Sequence, residues 1–149
     1  MLHRVRGVGL LALLLLGPSV LGAQARPAMT PAGAVEEFMR AASDSNITRM
    51  SELFGTDKGS ARSGAVKDYG KRMVIMQALL TGVQTRATGE VASSRKDQRI
   101  VTAEVSRGAC RVNVPFTTVY HKRDGWLVRS FDLEQVTQVN QPCEGPGNS

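Results

Sequence analysis

Residues 98–133, QRIVTAEVSRGACRVNVPFTTVYHKRDGWLVRSFDL, decide the fold. Apolar and β-branched side chains recur at every second position, the pattern of strands with one buried face. Gly108-Ala109 and Asp124-Gly125 interrupt it with residues that suit two-residue hairpin turns. Each turn sets a register. Around the first, Val105 stands opposite Val112, Ala103 opposite Val114 and Val101 opposite Phe116. Around the second, Phe116 stands opposite Leu133, Thr118 opposite Phe131 and Tyr120 opposite Arg129. The two apolar sets meet on one face through Phe116, and a one-residue slip would turn every side chain over.

This register predicts an inner face of Val101, Ala103, Val105, Val112, Val114, Phe116, Tyr120, Leu127, Phe131 and Leu133. Glu104, Asn113, Thr117, His121, Asp132 and the partly exposed Trp126 face outward. With a preceding strand over about Val83 to Val91, the sheet has four antiparallel strands, polar on one side and in need of cover on the other.

The cover comes from the N-terminal half. Thr30 before Pro31 is a helix start, and Val35, Phe38, Met39 and Ala42 follow at helical spacing. Ile47, Met50, Leu53 and Phe54 repeat the pattern up to Gly55. The Gly- and Ser-rich stretch 55–64 reads as a flexible loop. A third helix, expected to be the longest, places Val66, Tyr69, Met73, Met76 and Leu80 on one stripe and closes at Gly82. The fold class is therefore α+β, three N-terminal helices packed on a curved four-stranded antiparallel sheet.

The ends of the chain speak to location. Arg4 and Arg6, the apolar run from Val8 to Leu16 and the small-residue site Ala23-Gln24-Ala25 make a secretory signal over residues 1–25. The run is too short for a membrane span of about 18 or more residues, and no cysteine follows it to carry lipid, so no stable membrane anchor is expected. Removal leaves a leader at 26–29, one domain at 30–139 and a tail at 140–149. The mature chain carries 17 basic and 13 acidic residues, a formal +4, with the cations dispersed among acids. Nucleic-acid binding wants clustered cations and exposed aromatics, so it is not expected. In an oxidising compartment the two cysteines, Cys110 and Cys143, are expected to form a disulfide that tethers the tail. Two cysteines and two histidines make no zinc spacing, and no cofactor motif occurs.

Three amphipathic helices followed by an antiparallel meander ending in DGWLVRSFDL, with TPAGAVEEFMRA and NITRMSELFG at the start, resemble an exported bacterial member of the nuclear transport factor 2-like superfamily, relatives of ketosteroid isomerase with a cystatin-like fold. The resemblance covers about Thr30 to Gln135. It implies a cone in which the sheet wraps the third helix, with a mouth that often holds an apolar ligand, but a shared fold does not carry function with it. Isomerase-type relatives work with inward carboxylates and a tyrosine. By the predicted register Glu104, Asp132 and His121 point outward, and Glu90 and Asp68 lie off the apolar faces. His121 and Asp132 come out roughly 13 Å apart along the sheet, too far for a dyad.

The inward polar groups are Tyr120, Arg129 and Thr118. The expectation is a non-catalytic, exported small-molecule-binding or protein-interaction module, with Tyr120 and Arg129 at the mouth and Tyr69, Met73, Met76, Phe116 and Phe131 lining the cavity. The alternative is a small isomerase, cyclase or hydratase using the same cavity. The expected partners are an apolar or amphipathic small molecule and, through the outer sheet face, a second copy of the chain.

Overall fold

The computed structural model describes residues 26–143; the expected signal at 1–25 and the end of the tail at 144–149 lie outside the described residues. Helix α1 spans Pro31–Ser43, with the Thr30 hydroxyl accepting the Gly33 N–H at 3.0 Å. Helix α2 spans Ile47–Leu53, with the Asn46 side chain accepting the Arg49 N–H at 3.0 Å. Both caps satisfy N–H groups that a helix start leaves free. Helix α3 spans Tyr69–Leu80 and buries Met73, Met76 and Leu80; its 12 residues make it shorter than α1, which has 13.

Between α2 and α3 the expected flexible loop is instead ordered structure. Strands β1 (Gly55–Thr56) and β2 (Gly59–Ser60) pair as a small hairpin, followed by a 3-10 turn over Ala61–Ser63. Glycine at 55 serves close approach rather than helix termination. A Cβ there would collide with the Gly59 carbonyl and lie 2.7 Å from Leu127 Cδ1, so the hairpin sits directly on the strand that carries Leu127.

The main sheet has the order β3 (Gln84–Ala92), β4 (Gln98–Arg107), β5 (Cys110–His121) and β6 (Gly125–Phe131), each antiparallel to the next. The register at Gly108-Ala109 is the one the alternation predicts: Val105 faces Val112, Ala103 faces Val114 and Val101 faces Phe116. The second register differs. The connection is three residues, 122–124, and His121 pairs with Gly125, Tyr120 with Trp126 and Thr118 with Val128. Gly125, at φ +74°, begins the strand instead of completing the turn.

The shift is odd-numbered, so it inverts the start of β6. Val128 enters the core, and Leu127 lies buried on the opposite face against the β1–β2 hairpin. A bulge at Arg129 then adds one residue, Phe131 pairs with Phe116, and the apolar side returns inward. Asp132 and Leu133 are not strand residues. Asp132 accepts the Gln135 N–H at 3.1 Å and caps a fourth helix, α4 (Leu133–Thr137), which runs into a 3-10 turn over Gln138–Asn140. Val136 and Val139 are buried three residues apart, as helical turns require.

A second bulge, at Thr88 in β3, has the same consequence on the other edge. It leaves the Ala87 N–H outside the ladder, and Glu36 Oε1 of α1 accepts it at 2.8 Å. Beyond the bulge Glu90 stands opposite Val101, in the row that continues through Phe116 and Phe131. Glu90 is therefore on the inner face, contrary to the expectation from uninterrupted alternation. Its carboxylate lies 3.8 Å from Arg99 Nε.

The free edge of β6 is covered by short bridges from Ala28 and Phe54, which blunts it against pairing with other chains. The leader is thus built into the domain, with Ala28 only 1% exposed and its carbonyl accepting the Trp126 N–H at 3.0 Å. Gly125 permits this. It has a positive φ, and a Cβ would stand 2.6 Å from the Ala28 oxygen. Gly125→Ala is expected to cost about 2 kcal/mol or more, from left-handed strain plus loss of the Ala28 strap. Urea denaturation checks the cost, and proteolysis near residue 28 reports release of the strap.

The core between helices and sheet is closed by aromatic contacts. The Phe116 and Phe131 rings are 4.9 Å apart, Phe38 and Phe131 5.9 Å, and Phe38 and Phe54 5.8 Å. The predicted disulfide joins Cys110 to Cys143, with Cα atoms 5.5 Å apart, and holds the chain beyond α4 against the β4–β5 turn.

Candidate ligand-binding cleft

At the margin of this aromatic core an apolar cleft opens between α3 and the last residues of β6. Arg72, Ile75 and Met76 of α3 form one wall; Arg129, Ser130 and Phe131 form the other; Phe54 and Leu133 close the ends. The volume is about 240 Å³. The β6 bulge builds this site. It presents Arg129 and Ser130 in succession beside α3 and returns Phe131 to the core side.

Two guanidiniums reach the cleft, and their surroundings differ. Arg129 Nη1 stands 3.7 Å from Asp57 Oδ1 on the β1–β2 hairpin, an ion pair without a hydrogen bond. Arg72 is exposed, and its guanidinium carbon lies 5.8 Å from the centroid of the Phe54 ring. Among the described residues no carboxylate pairs with Arg72, so its donors are free to meet an anion at the opening.

The expected site residues separate into three groups. Met76, Arg129 and Phe131 line the cleft. Met73 and Phe116 are completely buried, and Tyr69 packs partly buried against the same core. Tyr120 is 48% exposed and packs at a tilt against Trp126, with 5.5 Å between ring centroids. The expected Tyr120–Arg129 pair does not form, because the register brings Trp126 opposite Tyr120 and the Arg129 side chain meets Asp57.

Phe54, Arg72, Ile75, Ser130 and Leu133 also line the cleft and are not among the expected site residues. A signal for Ile75 existed: α3 carries Val74, Ile75 and Leu79 outside its buried stripe, so the helix has apolar residues on both sides.

The shifted turn also brings His121 beside a different acid from the one considered. His121 Nδ1 lies 3.0 Å from Asp124 Oδ2, off the direction of a hydrogen bond, and Asp124 Oδ2 accepts the Ser60 N–H at 2.8 Å. The nearby Ser63 hydroxyl donates to the Ser60 carbonyl at 2.7 Å, so this cluster clips the hairpin to the β5–β6 turn. At the hairpin tip Asp57 also meets Arg95, at 3.6 Å, and Arg95 hydrogen-bonds Asp97 through two nitrogens. That hydrogen bonding holds the Asp97 carboxyl below its ordinary range.

No protein-family model matches the chain, and no curated protein matches it. Among solved structures the chain is similar to an NTF2-like protein of unknown function from Cytophaga hutchinsonii, at 10% identity. That alignment covers 71% of this chain and 93% of the other, with a TM-score of 0.42.

Proposed function

We propose that the protein is an exported, non-catalytic binding module whose cleft takes one end of an amphipathic anion. Its apolar part rests on Phe54, Ile75, Met76, Phe131 and Leu133, and its charged group meets Arg72. The observation that carries this reading is the pairing of an apolar floor with a guanidinium that has no carboxylate partner among the described residues. The volume is below the roughly 300–1,000 Å³ of ordinary small-molecule pockets, which suits a short chain or the end of a longer one. Export rests on the signal pattern of residues 1–25, with which the Cys110–Cys143 disulfide is compatible. The isomerase, cyclase or hydratase reading draws less support. The ionisable groups in the cleft are two guanidiniums, which hold their protons too tightly for general base work.

Octanoate is a suitable probe. Calorimetric titration is expected to show binding that weakens about 10-fold or more in Arg72→Ala, the loss of one charged hydrogen bond of about 1.5–3 kcal/mol. Arg129→Ala should have the smaller effect, because Arg129 is already engaged by Asp57. Equal affinity in the wild type and Arg72→Ala would overturn the assignment of the charged group. Absence of octanoate binding, together with no co-purifying amphiphile by mass spectrometry, would overturn the cleft as a ligand site.

A further inference from the structure

Helix α3 buries Met73, Met76 and Leu80, yet its solvent side is not polar. Val74 is 51% exposed, Ile75 58% and Leu79 38%, with Ala78 exposed between them. These three make up half of the six large apolar side chains that stand exposed among the described residues. The remaining exposed side chains of the helix are Lys71 and Arg72 in its first turn, and just before it Lys67 and the N-cap residue Asp68 are exposed. From Tyr69 to Leu80 there is no acidic residue. A helix apolar on all sides belongs in a core, and one left at the surface implies a partner that covers it.

We infer that α3 is a reversible docking face for an anionic lipid surface. The argument is complementarity of charge and order. The face carries cations and aliphatic side chains side by side, and a bilayer interface offers phosphate and acyl layers in the same arrangement to a helix lying in its plane. A second copy of α3 would meet this face with the same three cations, Lys67, Lys71 and Arg72, against the single acid Asp68 before the helix. The chain's formal +6 charge, +4 without Arg4 and Arg6, acts in the same direction. Insertion as a span is not involved: no described helix is long and apolar enough to cross a membrane. The face shares Arg72 and Ile75 with the cleft, whereas Val74 and Leu79 lie outside it, so variants at these two positions test the face apart from the cleft reading.

The test is co-sedimentation of the purified, disulfide-intact protein with vesicles of equal parts phosphatidylglycerol and phosphatidylcholine. Binding is expected to be at least tenfold stronger than to phosphatidylcholine alone, and to fall when salt rises from about 0.1 to about 0.5 M. Lys71→Glu should weaken it about tenfold, and the double variant Val74→Ser, Leu79→Ser at least fivefold, with thermal midpoints near the wild type because these side chains are exposed. Octanoate titration of the double variant separates the two readings, since the cleft walls are intact in it. Failure to bind phosphatidylglycerol vesicles at millimolar lipid overturns the inference, as does undiminished binding by the double variant. A wild-type dimer in sedimentation velocity that the double variant converts to monomer also overturns it, and gives the face to a second copy.

Discussion

Replacing Phe116 by alanine is expected to destabilise the protein by about 3–5 kcal/mol, the cost of removing a fully buried aromatic ring whose site cannot collapse. Phe116 is 0% exposed, stands between Val101 on β4 and Phe131 on β6, and stacks on the Phe131 ring at 4.9 Å. That stacking adds roughly 0.5–1.5 kcal/mol beyond the buried area. The experiment decides whether the space between helices and sheet is filled or hollow. A ring lining an empty chamber has lost half of its contacts already, and its removal would cost far less. Guanidinium denaturation of the wild type and Phe116→Ala gives the difference directly, and a loss below about 1 kcal/mol would contradict the filled interior.

Removal of the Cys110–Cys143 disulfide is expected to cost about 3–4 kcal/mol, from the entropy regained by an unfolded chain no longer closed into a loop. The sequence separation is 33 residues. For a domain of this size the loss corresponds to a fall in Tm of roughly 10–20 °C. The bond joins the β4–β5 turn to the residues that follow Val136 and Val139, so its loss should first free the C-terminal turns and then weaken the whole fold. Calorimetry of Cys110→Ala, Cys143→Ala against the oxidised protein measures the effect. Hydrogen exchange should show the amides of residues 133–140 losing protection ahead of β4 and β5. A change in Tm of under about 3 °C would mean that the tail is held by packing alone.

The limits of the sequence reading are clearest at β6. The first hairpin was legible because Gly108-Ala109 is a tight turn between uninterrupted alternating strands, and its register is the observed one. The second was not, because the turn has one residue more and Arg129 adds another further along. The two irregularities leave Phe131 on its predicted face while moving Leu127 and Val128 to opposite ones. Agreement of the apolar sets through Phe116 was therefore compatible with a wrong pairing. The bulge at Thr88 hid Glu90 in the same way. By contrast, Asp132-Leu133-Glu134-Gln135 carried a capping-box pattern that announces the start of α4, and it was legible in principle.

Local chemistry determined helices α1 to α3, strands β3 to β6, the helix starts at Thr30 and Asn46, the β4–β5 register and the cysteine pair, because each depends on residues close in sequence or on there being only two cysteines. Tertiary structure decided the site. Where a bulge falls depends on which partner satisfies the freed backbone group, and at Ala87 that partner is Glu36, 51 residues away. Whether a glycine-rich stretch is loose or docked depends on what it meets, and Gly55 meets Leu127. Whether an inward phenylalanine lines a cavity or fills it depends on the facing helix, and Phe38 of α1 closes that space. Periodicity along one strand carries no information about these partners, since it records which side of a strand is apolar and not what stands opposite.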